Sequence, residues 1–205
     1  MLARPTSRRR KLSYLPGGIN YTLFPTYARM AGFDASKVER VSNPVPAQHA
    51  ALLAAKRVDA ISQFVPAVDS VRTIAKEEVT TLPFVDHIGD LYGSAMAVST
   101  ETVENRADLV RRFNRALLKG LRHAVEQPEE AGRIYAGQPE TQGQQAAAAT
   151  VELTAIQGYV APLGQGRIGH FDLGRVARNI AILQGAGTIG RGLKPEDVVA
   201  ADLVE

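Results

Sequence analysis

In the first part of this chain, short apolar runs alternate with helical stretches, and near residue 86 the alternation stops. Leu12–Leu15 is apolar and ends at Pro16-Gly17-Gly18, which predicts a strand running into a tight turn. Leu23, Phe24, Tyr27, Ala28 and Ala31 then recur at helical spacing, and Gly32 closes the helix. Pro25 fits only a first turn, which places the helix start near Phe24. Val38–Val41 is a second strand, and Pro46 opens a helix through Ala54 and Ala55. Val58–Ser62 is a third strand interrupted by Asp59, Val65–Lys76 is helical, and Val79–Phe84 is a fourth strand. This order predicts an α/β fold with a parallel or mixed sheet.

One more strand, Tyr92–Ser99, follows, and everything after it reads as helix. Leu109, Phe113, Ala116, Leu117, Leu121 and Ala124 form one face of a long amphipathic helix. Pro128 starts another, Gln142–Tyr159 is an alanine-rich third, and Phe171–Leu183 is a fourth, ended by Gly185 and Gly187. Pro195-Glu196-Asp197 opens a last short turn. Helical stripes this apolar need a partner surface. Either they pack on the first lobe, or their sheet is absent from this chain.

Composition narrows the function. With 45% hydrophobic and 22% charged residues among 205, the chain is globular, long enough for one domain or two small lobes. It has no cysteine, so disulfides, thiol nucleophiles, iron–sulfur clusters and cysteine-ligated zinc are excluded. The net charge of +3 comes from a tail: Arg4, Arg8, Arg9, Arg10 and Lys11 stand in the first eleven residues with no acid among them. The remaining 19 basic and 21 acidic side chains give the body a charge of −2. Residues 1–11 therefore read as a solvated, disordered basic tail. No stretch approaches the ~20 apolar residues of a membrane span. KLSYLPGG after the basic run is too short and interrupted for the apolar core of a signal peptide.

The best local signal is LSYLPGGINYT, residues 12–22: a strand, a Gly-Gly turn, and a helix N-terminus bearing Asn20 and Thr22. Free backbone N–H groups and the helix dipole there favour an anionic or carbonyl oxygen. The competing reading is a plain β–α turn in which Asn20 or Thr22 caps the helix. Gln63 and Phe64 follow the third strand, at the strand end where open α/β sheets take ligands; they read either as an amide and a ring for a polar planar ligand, or as loop and core. Tyr92-Gly93 stands similarly at the mouth of a strand.

The other chemistry-bearing residues point away from catalysis. His49, His87, His123 and His170 are scattered without metal-ligand spacing, and no metal site is expected. GxGxxG, the Walker lysine pattern and GxSxG are absent, and Gly164-Gln165-Gly166 and Gly185-Ala186-Gly187 read as loops. Arg111, Arg112, Arg115, Lys119 and Arg122 crowd one helix as a solvated face, without the aromatic platform of a nucleic-acid binder.

Read in order, LSYLPGGINYT, AGFDASKVERV, PAQHAALLAAKRVDAISQF, DLYGSAMAVST and NRADLVRRFNRALLKGLRHAVEQPEEA resemble the thiamine-pyrimidine-synthase-like branch of ABC-transporter substrate-binding proteins. That branch takes in the nitrate, sulfonate, taurine, riboflavin and thiamine-pyrimidine receptors. The match covers about residues 12–205, with Arg106-Ala107-Asp108 where the family has Pro-Asp. The resemblance implies a type II periplasmic-binding-protein-like fold: residues 12–91 as the second lobe, and 92–205 as the hinge strand and C-terminal helices of the first. The family's N-terminal strands would be missing.

The resemblance carries the glycine-rich ligand loop onto Gly17, Gly18, Asn20, Tyr21 and Thr22, and the pocket strand end onto Gln63 and Phe64. It places Tyr92 where the hinge strand faces the ligand. It implies a non-enzymatic receptor without cofactor for a small anionic or heteroaromatic nutrient, partnered by an ABC permease, with no nucleic-acid partner. The compartment would be periplasmic or extracytoplasmic, or cytoplasmic if Met1 is the true start. A truncated remnant without transport function is the rival reading, and uncovered helices would then lead to self-association. The family's enzyme branch, which looks like the fungal pyrimidine synthases, uses a cysteine-rich iron motif absent here and a pyridoxal-linked lysine that would fall in the N-terminal segment the resemblance implies is missing.

Overall fold

The computed structural model of the protein describes residues 9–141, 143–160 and 168–203. It divides into two compact units: Met1–Gly89 with Ile182–Gly190, and Asp90–Ala181 with Arg191–Glu205.

The first unit is a three-stranded parallel sheet with helices. Strand β1 (Arg10–Tyr14) lies between β2 (Val38–Ser42) and β3 (Ala60–Ile61), in the order β2-β1-β3. Leu12 pairs with Arg40 on one side and Ala60 on the other. Arg10 and Lys11, expected in a disordered tail, belong to this sheet. Asp59 holds them there: its carboxylate accepts from the Lys11 backbone N–H at 2.8 Å and from the Arg10 guanidinium at 3.2 Å. Asp59, an interruption in the sequence pattern, is thus a strand anchor.

Helix α1 (Ile19–Met30) begins five residues before the expected start, because the turn at Gly17-Gly18 sets Gly18 as its N-cap. Pro25 sits inside the helix on its solvent side, so the missing N–H costs one backbone bond while Leu23, Phe24, Tyr27 and Ala28 stay buried. Helix α2 (Pro46–Ala54) starts at the expected proline and buries His49 and Ala50. The stretch expected as one helix over 65–76 is a 3-10 turn, Val65–Ala67, followed by α3 (Val68–Ala75), whose C-cap Lys76 is left-handed with φ 54°. The expected strand Val79–Phe84 does not form. Pro83 cannot donate to a ladder, and its carbonyl instead turns the chain into the one-turn helix α4 (Val85–Ile88).

An aromatic cluster closes this core. Tyr27 stacks on Phe84 at 4.6 Å and meets Phe33 and His87 edge-on. Burial, reinforced by the Asp86 carboxylate, pushes the Tyr27 phenol above its ordinary value. Asp34 accepts from the Ser36 N–H to cap a 3-10 turn, and hydrogen bonding to the Ser36 side chain, then to its N–H, holds the Asp34 carboxyl below its ordinary value.

The second unit is helical. The expected strand Tyr92–Ser99 is correct in neither pairing nor burial: among the described residues it has no ladder partner, and Gly93–Ser99 is exposed. Helix α5 (Thr100–Glu126) is capped by Ser99, whose hydroxyl accepts from the Thr102 N–H, and it breaks helical geometry at Arg106. Only Val110 of α5 is fully buried; Phe113 is 53% exposed and Leu109 and Leu117 are exposed too.

Helix α6 (Pro128–Ala136) packs closely on α7 (Ala146–Val160), which starts later than expected; Gln142 lies outside the described residues. Gly132 makes that approach possible, since a Cβ there would come within 2.8 Å of the Ala146 carbonyl oxygen. Helix α8 (Leu173–Gly185) buries Val176 and Ile180, and α9 (Pro195–Val198) is the expected last turn. The Gly164–Gly166 loop and residues 1–8 of the tail lie outside the described residues.

Candidate functional site

A parallel sheet brings all its strand ends of one polarity to one edge. In the first unit the carboxyl edge carries Tyr14, Ser42 and Ile61, followed by the loops 15–18, 43–45 and 62–64. These loops are tied to each other. The Asn43 N–H donates to the Tyr14 carbonyl at 3.0 Å, and the Ser62 N–H donates to the Ser13 carbonyl at 2.8 Å. Gln63 Nε2 donates to the Pro46 carbonyl at 3.3 Å, joining the β3 loop to the start of α2. Seven of the eight sequence-derived candidates, Gly17, Gly18, Asn20, Tyr21, Thr22, Gln63 and Phe64, therefore stand in loops or first helical turns at one sheet edge.

Gly17 adopts φ +75°, a conformation a side chain would strain. Gly18 closes the turn by donating its N–H to the Leu15 carbonyl at 3.2 Å, and its own carbonyl accepts from the Tyr21 and Thr22 N–H groups. Neither Asn20 nor Thr22 caps the helix; the Thr22 hydroxyl donates back to the Gly18 carbonyl at 3.3 Å. The capping reading of this turn is thereby set aside. The N–H groups of Ile19 and Asn20 have no protein acceptor among the described residues, as expected of a helix first turn. Phe64 is 66% exposed, so it is not core.

Two residues that the sequence reading passed over complete this edge. Tyr14 stacks on Tyr21 with ring centroids 4.3 Å apart and 17° between planes, and the Arg40 guanidinium carbon lies 4.5 Å from the Tyr21 centroid. The signal was present: Tyr14 and Tyr21 flank the Gly-Gly turn, and Arg40 stands at a non-core position of the second strand. What the sequence does not display is the register Leu12↔Arg40 that sets Arg40 beside them.

Beneath the edge, His49 Nε2 lies 3.1 Å from the Asn43 carbonyl, which requires the proton on that nitrogen. His49 Nδ1 and the Ser13 hydroxyl are both buried without a hydrogen-bond partner among the described residues. Both are sealed in the core, so neither is placed to meet a substrate.

Tyr92 belongs to the second unit and is engaged there. Its hydroxyl accepts from the Asp172 N–H at 2.9 Å, its N–H donates to Asn179 Oδ1 at 2.8 Å, and its ring meets Phe171 edge-on. The Arg175 guanidinium lies over the ring at 4.1 Å while donating to the Asp90 and Leu91 carbonyls. This is a packing role, worked out within one unit.

Elsewhere, a shallow depression of about 280 Å³ on α5 is lined by Asp108, Arg111, Arg112 and Arg115. Arg111 there already pairs with Asp108 and Asp202. No group of three or more His, Asp or Glu side chains among the described residues is placed to hold a metal ion, and no helix among them is long and apolar enough to cross a membrane. The carboxyl edge offers backbone N–H donors, an amide, stacked rings and a guanidinium. These are groups that can hydrogen-bond to and stack on a small polar molecule.

A family model described as NMT1/THI5 like matches residues 8–131, more than half of the chain and all of the carboxyl edge just described. That family covers ABC substrate-binding proteins, which typically pair with permeases, and thiamine-pyrimidine synthases. No curated protein matches the chain.

Proposed function

Because the chain belongs to the NMT1/THI5-like family, we propose that it is the substrate-binding component of an ABC importer for a small anionic or heteroaromatic nutrient of the sulfonate, nitrate, riboflavin or thiamine-pyrimidine type. The observation that carries this reading is the carboxyl edge of the first unit. There a left-handed Gly17, unpaired N–H groups at Ile19 and Asn20, the Gln63 amide and the exposed Phe64 ring gather beside a stacked tyrosine pair. The proposed ligand residues are Gly17, Gly18, Asn20, Tyr21, Thr22, Gln63 and Phe64. Tyr92 rests on the resemblance alone.

In this reading no reaction is catalysed and no cofactor is carried. Occupancy is reported to a membrane permease, and the protein works in a periplasmic or extracytoplasmic compartment. The fold in this reading is of the type II receptor kind.

A thermal-shift screen of the purified chain against sulfonates, nitrate, flavins and thiamine-pyrimidine precursors tests the proposal. A ligand that binds only the native state at about 100 times its dissociation constant stabilises by roughly 2.7 kcal/mol. A selective shift, reduced in Gln63→Ala, is the expected result. A flat response in a folded protein favours a remnant without transport function, and a bound iron or pyridoxal absorption favours the synthase branch.

A further inference from the structure

We propose that Arg40 is the residue that sets the ligand preference of the carboxyl edge, by pairing with an oxyanion of the ligand such as a carboxylate or sulfonate. The inference rests on the reading that this edge is the ligand site.

Arg10 is paired with Asp59 at 3.2 Å, and Lys11 with Glu39 at 3.3 Å across the β1–β2 ladder. Arg40, on the same ladder, has no carboxylate partner among the described residues, and its guanidinium makes no hydrogen bond among them. It lies instead against Tyr21.

The stack fixes that guanidinium in place. Tyr14 is 4.3 Å from the Tyr21 ring centre and the Arg40 carbon is 4.5 Å from it. Tyr21 thus contacts both the Tyr14 ring and the Arg40 guanidinium. A guanidinium laid on a ring spends its face on the contact and keeps its N–H edge free, in the planar fork that fits a carboxylate or sulfonate.

Arg175 provides the contrast within the same molecule. It too lies over a tyrosine, at 4.1 Å from the Tyr92 centroid. Its N–H groups, however, are taken by the Asp90 and Leu91 carbonyls. Arg175 is a clamp; Arg40 has the same stacking and vacant donors. Its position also matters. Tyr14 ends β1 and Tyr21 lies in the first turn of α1, so the stack flanks the Gly17-Gly18 turn.

The test titrates the full chain calorimetrically with methanesulfonate and acetate, and separately with a neutral aminopyrimidine, at fixed ionic strength. Three variants accompany the wild type: Arg40→Gln, Arg40→Lys, and Arg29→Gln as a control for bulk charge. Arg40 is exposed, so the melting temperature should hold in all of them. The expected result is a loss of anion affinity of about tenfold or more in Arg40→Gln. Arg40→Lys should lose less, Arg29→Gln should match wild type, and aminopyrimidine affinity should not depend on Arg40. With no tryptophan in the chain, tyrosine emission gives a second readout at Tyr14 and Tyr21. Anion binding that is equal in wild type and Arg40→Gln overturns the proposal and leaves the ligand site standing. No anion binding to the wild type also overturns it, and the aminopyrimidine titration then decides whether the ligand site itself survives.

Discussion

The two units bury their apolar residues very differently. In the first, Leu23, Phe24, Tyr27, Ala28, Ala50, Val58, Val71 and Ile88 are buried around a sheet and an aromatic cluster. In the second, the helix richest in apolar periodicity leaves Leu109, Phe113 and Leu117 exposed, and Met96 and Val98 before it are exposed as well. A sheet gives amphipathic helices a flat apolar partner; helices without one can cover only part of each other's stripes. More apolar residues are therefore buried in the unit that bears the proposed ligand edge.

Paired truncations should expose this contrast most strongly. Leu23→Ala, at a position 1% exposed, should destabilise by about 2–5 kcal/mol. Phe113→Ala should change stability by no more than roughly 0.5 kcal/mol. Chemical denaturation of both variants checks the pair, and equal losses would mean that the α5 stripe is covered in solution. In the second unit the tight point is the α6–α7 crossing. Gly132→Ala should cost about 1–3 kcal/mol by forcing a methyl toward the Ala146 carbonyl, visible as a lowered denaturation midpoint. A smaller effect, about 1 kcal/mol, is expected when Ser99→Ala removes the cap of α5.

The pH dependence separates the units again. Tyr27 has a folded-state value above its unfolded value, so below about pH 10 both states keep the proton and it has no effect. As pH rises through the unfolded value, the unfolded chain loses its proton first, and stability falls. Tyr27→Phe should flatten this alkaline loss in the first unit, followed by urea midpoints between pH 9 and 11. Uncovered helices in the second unit make self-association the expected behaviour at high concentration. Light scattering showing a monomer throughout would argue that the stripe is too small or too interrupted to drive association.

Local chemistry made part of this legible in the sequence. Pro46 at a helix start, the Gly17-Gly18 turn and the three early strands follow from side-chain shape and backbone freedom, which act over a few residues. Tyr92–Ser99 and Val79–Phe84 depart from the strand expectation for one reason. Apolar alternation reports a strand's fitness to pair, while pairing needs a neighbour that the local sequence does not reveal. The same limit hid Arg40. Its contact with Tyr21 depends on parallel register between residues 28 positions apart, not on any motif. Asp59 read as an interruption because its partners, Arg10 and Lys11, come from a distant strand.

The most direct test of the central claim is a map of ligand-induced amide shifts on the labelled chain, using the strongest ligand from the thermal-shift screen. The account predicts shifts concentrated at Gly17–Thr22, residues 43–46 and Gln63–Phe64, with the helices α6 and α7 unchanged. Saturable shifts centred on another surface, with this edge silent, would contradict it.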